Sequence, residues 1–142
     1  MRAIVGIVVG LVAGFAAAIL IGIIGVGATA TAPAGVDASD PRQVVEAFAN
    51  MPDSAKIALM IAWFAGGLVG ALVAKLIARV AWAAWVVAAL IALYVVLNVL
   101  VLPLPGWMQA LSVVAPLLGG LIANHLVGAR SAQAATTDTP EA

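Results

Sequence analysis

The chain has 142 residues, of which 65% are hydrophobic and only 8% charged, and its formal net charge is zero. A soluble domain carries roughly 25% charged residues, and six Lys/Arg with six Asp/Glu cannot cover a water-facing surface of this size. These figures exclude a soluble globular fold and, with a mean hydropathy of +1.23, a disordered chain, which leaves an integral membrane protein with several spans.

The first uncharged run covers residues 3–36, and from Ile4 to Gly27 it is almost wholly Ile, Val, Leu, Ala and Gly. It exceeds the ~20 residues that cross a bilayer. Arg2 in front and Ala28-Thr29-Ala30 behind imitate a signal peptide. Signal cores run only ~7–15 residues, so an uncleaved first span over 3–27 is expected. The loop from Ala28 to Asp53 is the only sizeable extramembrane segment. Within it, Asp40-Pro41-Arg42-Gln43 reads as a helix start. Asp40 is the cap, Pro41 suits the first helical position, and Gln43 sits where a capping box places Glu or Gln. Val44, Val45, Phe48 and Met51 share one face, so a short amphipathic helix is expected on the membrane surface or on the bundle. Pro52 ends it, and Asp53 or Ser54 is expected to cap the next helix.

The second span is expected over 55–78. The run from Val80 to Ala129 is too long for one crossing, and Pro103, Pro105 and Gly106 mark a turn inside it. It divides into spans over 81–102 and 107–128. The tail 131–142 has no apolar face and is expected to be disordered. The predicted architecture is all-α: one membrane domain over 1–130, a bundle of four transmembrane helices with an amphipathic helix in the first loop.

Lys and Arg set orientation. Arg2, Lys75, Arg79 and Arg130 fall on one side, where they set topology or meet lipid headgroups. Arg42 and Lys56 fall on the other, beside Asp37, Asp40, Glu46 and Asp53. Both termini are therefore expected to be cytoplasmic. Trp82 and Trp85 at one boundary and Trp107 at the other fit an aromatic belt, whereas Trp63 lies deeper.

Small residues recur at every fourth position. The first span carries Gly6, Gly10, Gly14, Ala18 and Gly22, and the second carries Ala58, Ala62, Gly66, Gly70, Ala74 and Ala78. Lipid tails are as apolar as Leu, so helices associate where small residues let backbones approach. A spacing of four keeps such residues on one face. The two series predict a tight pair, formed within the chain or with a partner. Pro116 inside the fourth span should free the carbonyl of Ser112.

Polar groups inside spans are the default functional candidates. Here they are Asn98, which is expected to bond across helices, and Asn124 with His125. Ser112 and His125 are thirteen residues apart, roughly 20 Å along a helix and on nearly opposite faces, so they form no dyad. One His without an intramembrane acid makes no zinc site. No catalytic residue, metal or cofactor is therefore expected, and no enzyme. Two readings remain. One is a structural or accessory subunit that associates through its Gly/Ala faces with a larger membrane complex or with itself. The other is a small transporter or channel, acting as an oligomer, with Asn98, Asn124 and His125 along its path.

The pattern also resembles a family of small bacterial four-span membrane proteins without an assigned activity. The resemblance rests on Pro33-Ala34-Gly35 followed by Asp37 and Asp40-Pro41, on Gly66-Gly67-Leu68-Val69-Gly70, on Asn98, and on Pro103-Leu104-Pro105-Gly106-Trp107. It covers roughly residues 2–128. It implies a four-helix bundle in the bacterial inner membrane. The polar group and His that the family often carries near the end of the first span have no counterpart in Ile21-Gly22-Ile23-Ile24-Gly25-Val26-Gly27, and its Pro-His-Pro is Pro-Leu-Pro here.

Overall fold

A computed structural model describes residues 1–29, 37, 39–101 and 106–137. Its elements are α1 (Arg2–Thr29), α2 (Pro41–Ala49), α3 (Asp53–Ala78), α4 (Ala81–Val101) and α5 (Gly106–Thr137). Four of these helices are long and apolar enough to cross a membrane. In hydrocarbon every backbone N–H and C=O must find its partner within the chain, and a helix achieves this locally. The protein is an all-α, multi-pass membrane bundle.

α3 is the centre of the bundle and contacts α1, α4 and α5. α1 runs antiparallel along it. A Cβ added at Gly6 would lie 2.9 Å from the Ala78 Cβ. One at Gly10 would lie 2.6 Å from the Gly70 carbonyl oxygen, and one at Gly14 would lie 2.8 Å from that of Gly66. A Cβ at Gly66 in turn would press on Ala18 at 2.9 Å. The two small-residue series thus mesh within the chain. Of the described side-chain positions of α1 only Gly6, Gly10 and Gly14 are buried, so α1 is held by one face and offers the rest to its surroundings. Ala74, Val87, Ile91 and Val95 form the core where α3 meets α4.

α5 runs parallel to α3 and packs even more closely. A Cβ at Gly67 would fall on the Pro116 carbonyl group and within 2.6 Å of its Cα. Gly119 abuts the Phe64 carbonyl and the Leu68 N–H in the same way. Pro116 is fully buried and the helix continues through it. The Ser112 hydroxyl donates to the Gln109 carbonyl at 2.7 Å, so it serves the preceding turn.

Two local expectations are corrected. Neither Asp53 nor Ser54 caps α3: the cap position is Pro52, without a side-chain bond, and its carbonyl accepts from Ala55 and Lys56 N–H. Proline is already extended there, so the helix starts one residue early, with Asp53 in its first turn. Gln43 does not bond back to the Asp40 N–H, which the Asp37 carbonyl has taken. Its side chain instead accepts from Asp37 N–H at 3.0 Å and donates to the Asp40 carboxylate at 3.2 Å. Asp40 itself caps α2 by accepting from Arg42 N–H at 2.9 Å. The apolar stretch of α5, Gly106–Val127, matches the expected fourth span, and the helix itself continues to Thr137. Ala and Gln are strong helix formers, and adding residues to an existing helix avoids the cost of nucleation.

The connection from α3 to α4 is only Arg79 and Val80. Arg79 adopts the left-handed conformation (φ 57°, ψ 23°), and its N–H closes the helix on the Lys75 carbonyl at 2.9 Å.

Candidate functional site

The intramembrane polar groups do not converge. Asn98, near the α2 end of α4, donates at 2.8 Å to the Tyr94 carbonyl of its own helix, and among the described residues this bond takes the place of the expected one across helices. An amide one turn on reaches that carbonyl with no help from a neighbour. Asn124 lies toward the other end of the bundle, on α5. Its side-chain oxygen accepts from Lys75 Nζ at 2.6 Å, and its backbone carbonyl accepts from the same ammonium at 2.5 Å. Lys75 is thus an internal strut between α3 and α5. The parallel helices bring it level with Asn124. His125 is exposed, as are Arg2 and Arg79. The Arg130 backbone lies in α5 at the same end as Arg2 and Arg79. Pro33-Ala34-Gly35 and Pro103-Leu104-Pro105 lie outside the described residues.

The other feature is an apolar crevice of about 1060 Å³ in the half of the bundle nearest α2. One wall is the C-terminal half of α1 from Phe15 to Ala28. The opposite wall is Leu59 and Trp63 of α3 with Ile91, Tyr94 and Val95 of α4, and Phe48 and Met51 close the top. Phe48 also packs against Met60 and Met108, which anchors α2 to the bundle. Phe15 and Tyr94 meet edge to face, with ring centroids 4.9 Å apart at 88°. Trp63, too deep for the aromatic belt, has its place here. Among the described residues no charged side chain lines the crevice.

Two glycines of this wall differ from those that pack α1 on α3. A Cβ at Gly22 would make only an ordinary contact with Ala62 at 3.7 Å, and one at Gly27 would meet nothing within 4 Å. Neither is made small by a close helix contact, and both line the crevice. Gly22 still faces α3 at Ala62, where a period of four places it.

Around the top, Asp37 accepts from the Ser39 hydroxyl at 2.6 Å and from the Ser39 N–H at 2.9 Å. These two bonds hold its carboxyl below the ordinary 3.8. Lys56 pairs with Asp53 at 3.4 Å. No group of three or more His, Cys, Asp or Glu able to hold a metal occurs among the described residues. No protein-family profile matches the chain, and neither a curated protein nor a solved structure matches it.

Proposed function

We propose that the protein is a small non-enzymatic subunit of the bacterial inner membrane that joins a larger membrane complex or a second copy of itself. The observation that carries this reading is how the polar groups of the spans are used. Lys75 and Asn124 tie α3 to α5, and Ser112 and Asn98 bond carbonyls of their own helices. Groups held this way brace a scaffold and are poorly placed to act on a substrate. The Gly/Ala faces of α1 and α3 are filled from within the chain, so association runs through other surfaces. α1 offers the broadest, with Ile4, Val8 and Val12 each more than half exposed. The transporter or channel reading loses support, because Asn98, Asn124 and His125 lie on different helices or at opposite ends and share no path. Membership of the small four-span family belongs to the same proposal. So does an orientation with Arg2, Arg79 and Arg130 in the cytoplasm, by the positive-inside rule.

The test is mild extraction of the tagged protein from its native membrane, followed by mass determination and identification of what co-purifies. A stoichiometric complex or a homo-oligomer is expected. A lone monomer with no partner would sink the proposal.

A further inference from the structure

We infer that the crevice between α1, α3 and α4 is a lipid site that seats the two acyl chains of one diacyl phospholipid, drawn from the leaflet on the α2 side. The crevice lies at the depth of the hydrocarbon, and apolar side chains and small residues form its walls. Phe15 to Ala28 advance about 20 Å along α1, somewhat more than the ~15 Å of hydrocarbon in one leaflet. A volume of about 1060 Å³ over that length gives a mean cross-section of roughly 50 Å². A helix with its side chains is ~10 Å or more across, or about 80 Å², and does not fit. A polymethylene chain packed near the ~4 Å carbon–carbon optimum needs roughly 20 Å², so two such chains fill the space. A segment of a second copy of this chain would have to be helical in hydrocarbon, and on the same measure it lies across the mouth of the crevice without filling it.

Two further observations point the same way. Gly22 and Gly27 are small without being needed for helix packing, and larger side chains there would occupy the crevice. The top is closed by Phe48 of α2 and by Met51 just beyond it, and the polar face of α2 bears Arg42 and Glu46. Chains below and headgroup beside α2 is the arrangement this dictates for an amphiphile. Acids outnumber bases at this end, with Asp37, Asp40, Glu46 and Asp53 against Arg42 and Lys56. The rim therefore favours a zwitterionic headgroup over an anionic one. The site is present whether or not the chain also has a protein partner.

Trp63 in the wall is the reporter. With Trp82→Phe, Trp85→Phe and Trp107→Phe it becomes the sole tryptophan. The full-length protein is reconstituted in zwitterionic phosphatidylcholine vesicles whose acyl chains are brominated, since bromine quenches indole fluorescence on contact. Trp63 is expected to lose most of its emission relative to unbrominated vesicles. Gly22→Leu, which fills the crevice at the depth of Ala62, is expected to abolish most of that loss. Gly27→Phe fills it nearer the top and serves if Gly22→Leu does not fold, as judged by helical content. Val5→Leu at the other end of α1, away from the crevice lining, should leave the quenching unchanged. Trp63 emission untouched by bromine, or quenched equally in both filled variants, would overturn the inference. So would Trp63 shielded from bromine in a protein that runs as a dimer.

Discussion

Gly67 of α3 and Pro116 of α5 are in backbone contact, and there is no room for a methyl group between them. The contact does two things. It lets the central helix approach a helix two spans away in sequence, and it buries the ring of a proline that a helix interior otherwise tolerates poorly. Gly67→Ala would force the backbones apart along the whole α3–α5 seam. Overpacking of this kind costs typically ~1–3 kcal/mol. Gly27→Ala, with nothing within 4 Å, removes only a glycine's helix penalty and should be neutral or slightly stabilising. Reversible unfolding of both variants in mixed micelles checks the contrast. Equal stabilities would mean that the seam yields more easily than its geometry implies.

The same seam sets the Lys75–Asn124 bond. Lys75 follows Gly67 by eight residues, and Asn124 follows Pro116 by the same eight, so parallel helices in contact at the first pair are level at the second. Interhelical hydrogen bonds in bilayers average ~0.6 kcal/mol and reach ~1–2. A charged donor with two acceptors belongs at the upper end of that range. Lys75→Met and Asn124→Leu should each destabilise the fold, and a double-mutant cycle should return a coupling of about 1 kcal/mol. Strict additivity would show that Lys75 prefers the headgroups in a real bilayer.

These two contacts mark where sequence reading stops. The spans are legible because hydrocarbon demands continuous apolar helices, and the α1–α3 pairing because Gly6, Gly10 and Gly14 repeat at a helical period. The α2 start is legible in Asp40-Pro41, a cap beside a residue that suits the first turn. The Lys75–Asn124 bond is not, since nothing local says that Gly67 meets Pro116 on a non-adjacent span. The eight-residue match carries meaning only once that contact is known. The crevice is hidden for another reason. Gly22 continues the series of Gly10 and Gly14 in register, and the period alone does not show that its contact with Ala62 is loose where theirs are tight. Asn98 misled because an intramembrane amide has two ways to be satisfied, and its own helix supplied the nearer one.

Arg79 stands where a glycine would ordinarily end a helix. A non-glycine residue in the left-handed region costs ~1–2 kcal/mol, and the two-residue turn into α4 imposes that conformation. Arg79→Gly is expected to keep the turn and stabilise the fold by about 1 kcal/mol, less the entropy that glycine loses on folding. Arg79→Val, whose branched side chain tolerates that region worst, should destabilise it by more than that. The pair is read by the same unfolding titration. A stabilising Val would show that the left-handed turn is not kept.

The turn before α2 should respond to acid. Asp37 is fully exposed, yet two donors from Ser39, its hydroxyl first and then its N–H, hold the carboxyl below 3.8. A carboxyl whose folded value is depressed contributes its stabilisation above the unfolded value and loses it as pH falls through the folded one. The turn is therefore complete at neutral pH and at pH 5, and it opens only below the ordinary carboxylate range. Ser39→Ala removes the larger of the two causes and should move Asp37 back up toward 3.8 while leaving its backbone bond in place. A side-chain carboxyl titration by NMR in micelles reads this directly. An unshifted Asp37 in the alanine variant would show that the hydroxyl bond is not formed. The Asp37 N–H also reaches Gln43 at 3.0 Å. Loss of the turn should therefore loosen the start of α2, seen as faster amide exchange at Arg42 and Gln43 below that pH.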